Sequence, residues 1–372
     1  MKEWLSKLTK DEKLTIVGVF LTIFGSYFGY SGLDKKIRVP ISAIICLIGG
    51  IILLVQDIKY YKQGLYTERQ KKILATLAVL GLIVICREDS LYLSLVIAAN
   101  FVHKDLKQLM KIIFYSSIAS FLLICSLCLV GIVVNKITYR DVFNFTISRQ
   151  TLGFSNPNVV YRFFVPIVLT GLFVFKDKVV YALACLCMGM LLFFITGSRA
   201  GLLAIIAFAI LCCIPKNIKD KVYNVKLIPY VFLSFTLISI LCAILLHKSN
   251  LDEYGSARFT IWYNYFKQIG VFANIHKVNG RPLDNLFLNT MYFGGMYGYI
   301  YYYCLYLMAF IRNDKKNSQL IFILFLVTFV YGFFENFSAF GESRVLIILF
   351  SIILNGDKID ELSEENVQIS CQ

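Results

Sequence analysis

A chain of 372 residues with 58% hydrophobic and 16% charged side chains, at a mean hydropathy of +0.70, is not a soluble globule, where roughly a quarter of residues carry charge. Its net charge of +14 does not point to nucleic acid either. Lysines and arginines sit in short loops beside apolar runs, where membrane orientation puts them, and no basic domain or base-stacking platform accompanies them. An all-α, polytopic membrane helix bundle of about twelve transmembrane helices is the expectation.

Met1–Lys13 is a polar, lysine-rich start without the cleavage site of a signal peptide. The apolar runs that follow are Leu14–Leu33, Val39–Val55, Ile73–Cys86, Ser90–Val102, Ile112–Val134, Val159–Phe175, Val179–Ile195, Ala200–Ile214, Leu227–Leu246, Leu286–Ile311, Leu320–Phe334 and Val345–Leu354. Several fall short of the roughly 20 residues a span needs. Ile73–Cys86 and Ser90–Val102 also read as a re-entrant pair, whose removal leaves the orientation of the rest unchanged. With the N-terminus in the cytoplasm, 22 of the 37 lysines and arginines fall in cytoplasmic segments, as the positive-inside rule asks. The chain then divides into N-terminal helices (1–134), a central region (135–311) with outer loops at 135–158 and 247–285, C-terminal helices (312–355) and a short acidic tail (356–372).

The stretch Val179–Ile214 is 36 residues, about 54 Å as a single helix, too long for a bilayer core of about 30 Å. It must turn at its one polar point, Thr196-Gly197-Ser198-Arg199. Ser198 is placed to cap the following helix, and Arg199 lands in its first turn. A helix N-terminus with an arginine suits a phosphate group; an arginine reaching for lipid headgroups explains it equally well.

Three further outer places carry polar chemistry. Arg149 precedes Asn156-Pro157-Asn158, a helix-start signal in which Asn156 caps and Pro157 occupies the first position. Arg162 follows one turn into the membrane, where a charge calls for a partner or a wet cavity. The loop 247–285 holds Arg258, Lys267, Lys277 and Arg281, and ends in Asp284-Asn285, with Asp284 where a helix cap belongs. Within it, Phe259, Trp262, Tyr263, Phe266 and Ile269 or Gly270 recur at helical spacing, the pattern of a helix lying on a membrane surface. Last, Glu335-Asn336 and Glu342-x-Arg344 are placed to pair with each other. The 11 cysteines, Cys125-x-x-Cys128 included, read as packing residues, and His103, His247 and His276 lack metal-ligand spacing. Many outer arginines and one well-placed carboxylate suit a phosphate-bearing substrate and a single base. They do not suit an ion pathway, where acids lie inside spans.

In this order the outer motifs resemble the O-antigen ligase/polymerase superfamily, whose Wzy-type polysaccharide polymerases form one branch. Arg149-x-x-Leu-Gly-Phe-Ser-Asn-Pro-Asn158, Thr196-Gly-Ser-Arg-Ala-Gly201, Arg258-Phe-x-x-x-Trp262 and Asp284-Asn285-x-x-Leu288, followed by Gly294-Gly295 and Gly298, carry the likeness. It covers roughly 149–298. The ligase branch typically has a histidine where this chain has Asp284, which favours a polymerase. The resemblance implies a multi-pass enzyme of the bacterial cytoplasmic membrane that polymerises undecaprenyl-pyrophosphate-linked repeat units at the outer face, for capsule, exopolysaccharide or O-antigen. Its partners would be those glycans, the bilayer, and a chain-length regulator and flippase of the same pathway. In this reading Asp284 is the base, and Arg199 and Arg258 hold the pyrophosphate. Arg149, Arg162, Asn156, Asn158, Ser198, Arg281 and Asn285 contact substrate, and no metal or cofactor is needed. The alternatives are a ligase-type glycosyltransferase and a lipid-linked oligosaccharide flippase.

Overall fold

The computed structural model describes residues 9–82, 89–102, 105–142, 145–215, 223–254, 257–272, 274, 276–280, 283–310, 319–335 and 345–355. Arg281, Asn336, Glu342, Arg344, His103 and the acidic tail lie outside them. Among the described residues there are fifteen α-helices and one two-stranded sheet. The wholly helical expectation is therefore corrected by a β-hairpin. Four stretches are long and apolar enough to cross a membrane: Lys35–Lys62, Leu106–Leu129, Lys178–Thr196 and Val225–Leu246. Much of their apolar surface is open, with Leu47, Phe194 and Leu245 each more than three-fifths exposed, a surface that fits lipid rather than water.

The chain folds into two compact units, residues 1–71 with 96–213, and residues 72–95 with 214–372. The first contains α1 (Lys10–Phe28), α2 (Lys35–Lys62), the start of α3 (Glu68–Leu82) and the end of α4 (Asp89–Ala99). Next come α5 (Leu106–Leu129), the strands β1 (Ile137–Val142) and β2 (Phe145–Gln150), α6 (Pro157–Gly171), α7 (Lys178–Thr196) and α8 (Arg199–Cys213). A reciprocal cap between Thr9 and Glu12 starts α1, satisfying two N–H groups that a helix start leaves open. α1 and α2 form an antiparallel hairpin. Ser42 donates to the Gly25 carbonyl at 2.7 Å near one end, and Lys59 pairs with Asp11 at 2.6 Å at the other.

The two ends of the first unit gather different loops. The α1–α2 turn is joined to the residues that follow β2, where Gly32 N–H donates to the Gly153 carbonyl and Ser155 N–H to the Tyr30 carbonyl, both at 2.7 Å. At the Asp11–Lys59 end, Tyr66 donates to Asp57 at 2.8 Å and to the Ala99 carbonyl at 3.2 Å. Segments expected on one membrane face thus meet at one end of the unit, and those expected on the other face meet at the opposite end.

The second unit is built on α9 (Ile228–Leu246), with α10 (Asn250–Tyr254), α11 (Arg258–Phe266), α12 (Leu286–Phe293), α13 (Gly295–Phe310), α14 (Gln319–Phe334) and α15 (Val345–Asn355), and the rest of α3 and α4. Phe232 of α9 centres an aromatic cluster, with ring centroids 4.7 Å from Tyr306, 5.4 Å from Phe287 and 5.6 Å from Phe329; such pairs add to plain burial. Two expectations change here. Leu286–Ile311 is not one helix but two, broken at Gly295. That residue is left-handed (φ 65°), and a Cβ on it would stand 2.4 Å from the Phe272 carbonyl carbon. The aromatic stripe of α11 is not uniformly open either: Trp262 is buried against Phe333 while Phe259, Tyr263 and Phe266 are half-buried, and Tyr265, outside the stripe, is buried against Tyr292. α3 and α4 are tied by Tyr92 donating to the Ala78 carbonyl at 2.8 Å. Their 15 and 11 residues make about 22 and 16 Å of helix, short of a bilayer core.

Candidate functional site

In the first unit the sequence motifs converge. β1 and β2 pair antiparallel, with Thr138 opposite Arg149 near the base of the hairpin. Asn135 and Thr151 clamp that base. The Asn135 side-chain Oδ1 accepts from the N–H groups of Thr151 and Leu152, both at 3.1 Å, and Thr151 Oγ1 accepts from Lys136 N–H at 2.9 Å. Arg149 is thereby aimed at the α7–α8 turn. Its Nε donates to the Thr196 carbonyl at 2.7 Å and its Nη2 to Asn158 Oδ1 at 2.5 Å. The Thr196 carbonyl is one of those a helix C-terminus leaves open, where a cation is favoured.

The turn itself is shaped for that contact. Gly197 is left-handed (φ 61°), and a Cβ there would meet Arg149 Nε at 3.1 Å, so glycine supplies both the reversal and the space. Gly201, one turn into α8, packs flat on Tyr161 of α6; its Cβ would fall 2.1 Å from Tyr161 Cγ. The ring is held by its hydroxyl donating to the Gly189 carbonyl of α7. The first turn of α8, with its unpaired N–H groups, is thus pressed against two neighbours.

Ser198 was expected to cap α8, and here the structure corrects the sequence. Ser198 is 1% exposed, and its hydroxyl has no hydrogen-bond partner among the described residues. Arg199 beside it is exposed, with no partner among the described residues. Asn156 does cap α6, accepting from Asn158 N–H at 2.9 Å. Arg162 stands apart from Arg149, its guanidinium 5.6 Å from the Tyr30 ring centroid, a cation–π distance.

The second unit gathers the remaining motifs on the end of α14. Arg258, the first residue of α11, donates from Nη1 to the Phe334 carbonyl, and its Nη2 lies 3.4 Å from Glu335 Oε1. Glu335 is 3% exposed and pairs with Arg258; the pairing expected within the C-terminal motif falls outside the described residues. The start of α11 is taken by Asp252, which accepts from Phe259 N–H at 2.7 Å and from Thr260 N–H at 3.2 Å. One carbonyl earlier, Asn285 Nδ2 donates to Phe333 O and also to Ser239 Oγ, both at 3.0 Å.

Asn285, not Asp284, caps α12, accepting from Leu288 N–H at 2.9 Å. The capping role expected of Asp284 thus falls to Asn285, and Asp284 itself is half-buried. Asn285, for its part, is fully buried with both ends of its amide engaged inside the unit. Burial pushes the Tyr265 hydroxyl above its ordinary value; the Val278 backbone pulls it back, and Tyr292 and Asp284 push it up further.

No family model, curated protein or solved structure matches this chain. What the site can do therefore rests on its residues. Asp252, Arg38 and Ser239 were missed from sequence. All three act through tertiary contacts that leave no local pattern.

Proposed function

We propose that the protein is a polymerase of undecaprenyl-pyrophosphate-linked oligosaccharide repeat units, transferring a growing glycan at the outer face of the cytoplasmic membrane. The observation that carries this reading is the α7–α8 turn. A guanidinium fixed at two points reaches in from β2 and meets, at the α7–α8 turn, an exposed arginine, a buried hydroxyl without a partner among the described residues and a helix N-terminus. Every one of these groups is a donor, and a diphosphate presents only acceptors, so the match is of the charge-assisted kind.

In the proposed reaction a sugar hydroxyl of one lipid-linked unit attacks the anomeric carbon of the glycan carried on another lipid. The new C–O bond forms as the bond from that carbon to the pyrophosphate oxygen breaks, and the electron pair leaves on the lipid pyrophosphate. Arg199 and Arg149 neutralise that leaving group, with Arg258 as the motif arginine of the second unit. The hydroxyl proton passes to Asp284.

The test is reconstitution of purified protein with lipid-linked repeat units. Wild type should lengthen the glycan. Arg199→Ala should lower the rate by about 10²–10³, the cost of removing one donor to developing charge, and Asp284→Asn should stop it. A protein that changes only the sidedness of the lipid-linked units is a transporter, and the proposal fails. Normal chain length and yield with Arg199→Ala removes Arg199 from the reaction.

A further inference from the structure

A second cationic locus in the first unit lies outside the motifs used above. Arg38, in the first turn of α2, donates from Nη1 to the Ser31 carbonyl, while its Nε is buried without an acceptor. The Ser31 side chain is 0% exposed, and its hydroxyl has no partner either. Asp34, the acid of this turn, spends its carboxylate on Lys36 N–H at 2.7 Å. Two neighbouring side chains thus present donors that no described residue receives, an arrangement that buried polar groups avoid unless water or a ligand completes it.

The turn is well fixed. Ser31 bridges Phe154, and the bonds from Gly32 to Gly153 and from Ser155 to Tyr30 hold it to the segment that leaves Arg149. The Arg162 guanidinium over Tyr30 adds charge at the same place. The composition repeats that of the α7–α8 turn, a guanidinium anchored on a backbone carbonyl beside a buried, unpartnered serine hydroxyl. A reaction between two lipid-linked units has two diphosphates to hold at once, one that leaves and one that stays.

We propose that Arg38 and Ser31 form a second phosphate site, which takes the diphosphate of the acceptor lipid while the α7–α8 turn takes that of the donor. This rests on the polymerase reading, and the test separates the two. Full-length protein in phosphatidylcholine nanodiscs is titrated with radiolabelled polyprenyl diphosphate carrying no sugar, and bound equivalents are counted. Two per chain are expected for wild type, one for Arg38→Gln and one for Arg149→Gln. Ser31→Ala, a milder change, should weaken one equivalent about tenfold, and thermal unfolding of each variant separates lost binding from lost fold. One equivalent in wild type, or two retained in folded Arg38→Gln, overturns the second site. Displacement of the Arg38-dependent equivalent by phosphatidylglycerol assigns the site to headgroup phosphate and overturns the acceptor role. Two equivalents with no glycan lengthening keep a second phosphate site and sink the polymerase reading instead.

Discussion

Replacing Asn285 by alanine should unfold the second unit well before replacing its neighbour Asp284 by asparagine does. Asn285 does three things: it caps α12 through Leu288 N–H, and it donates to Phe333 O and to Ser239 Oγ. Losing the cap costs about 1 kcal/mol. The Phe333 carbonyl loses a donor at the end of α14, a further ~1–3 kcal/mol for a buried group left unmet. Ser239 keeps its own bond to the Phe235 carbonyl at 2.8 Å and loses little. The sum is about 3 kcal/mol, which for a unit of this size lowers the melting temperature by about 6–12 °C. Asp284→Asn leaves the cap in place, so it should cost less than Asn285→Ala while stopping glycan transfer. The assay is scanning fluorimetry in detergent alongside glycan lengthening in nanodiscs. If Asp284→Asn were the less stable of the two, or Asn285→Ala melted with wild type, the division of labour between these neighbours would be refuted.

Gly201→Val should destabilise the first unit by at least ~1–3 kcal/mol through overpacking, because its side chain must enter the space of Tyr161; an unchanged melting temperature would contradict the packing of α8 on α6. Arg149→Lys keeps the charge but cannot serve Thr196 O and Asn158 Oδ1 together. Losing one charged hydrogen bond of ~1.5–3 kcal/mol should slow transfer by about 10–100-fold, read from initial rates, and a wild-type rate would show that the fork is dispensable. Gly295→Ala meets both a left-handed backbone and the Phe272 carbonyl, so it should release the segment 270–274 and raise its rate of proteolytic cleavage; equal cleavage would exclude that contact.

Hydropathy was a faithful guide to where helices form. Each apolar run contains one, because in lipid a helix satisfies its own backbone. The break in Leu286–Ile311 escaped, since both sides of Gly295 are apolar and only φ records the turn. The hairpin escaped because Arg140 and Asp141 interrupt the alternation that marks a strand. Trp262 was misjudged because an aromatic stripe at helical spacing has the same period whether it meets lipid or core. Asp284 and Asn285 are both good capping residues, so sequence could not choose between them. The structure does so through the second half of the amide: a carboxylate at 285 would face the Phe333 carbonyl oxygen with no proton to offer. The grouping of Arg149 with Thr196 and Asn158 was legible as shared motifs, but the orphaned hydroxyl of Ser198 was not.

The clamp made by Asn135 and Thr151 closes the base of the hairpin, and Arg149 stands just above it in β2, opposite Thr138. The pairs from Tyr139 and Ser148 outward lie farther from the clamp than the arginine does. The hairpin can therefore lengthen, shorten or exchange its tip over evolutionary time without disturbing the guanidinium, and a reporter peptide spliced between its strands would ride on a fixed stalk. A chain built this way keeps its charge-handling groups constant while leaving an adjacent limb free to diversify.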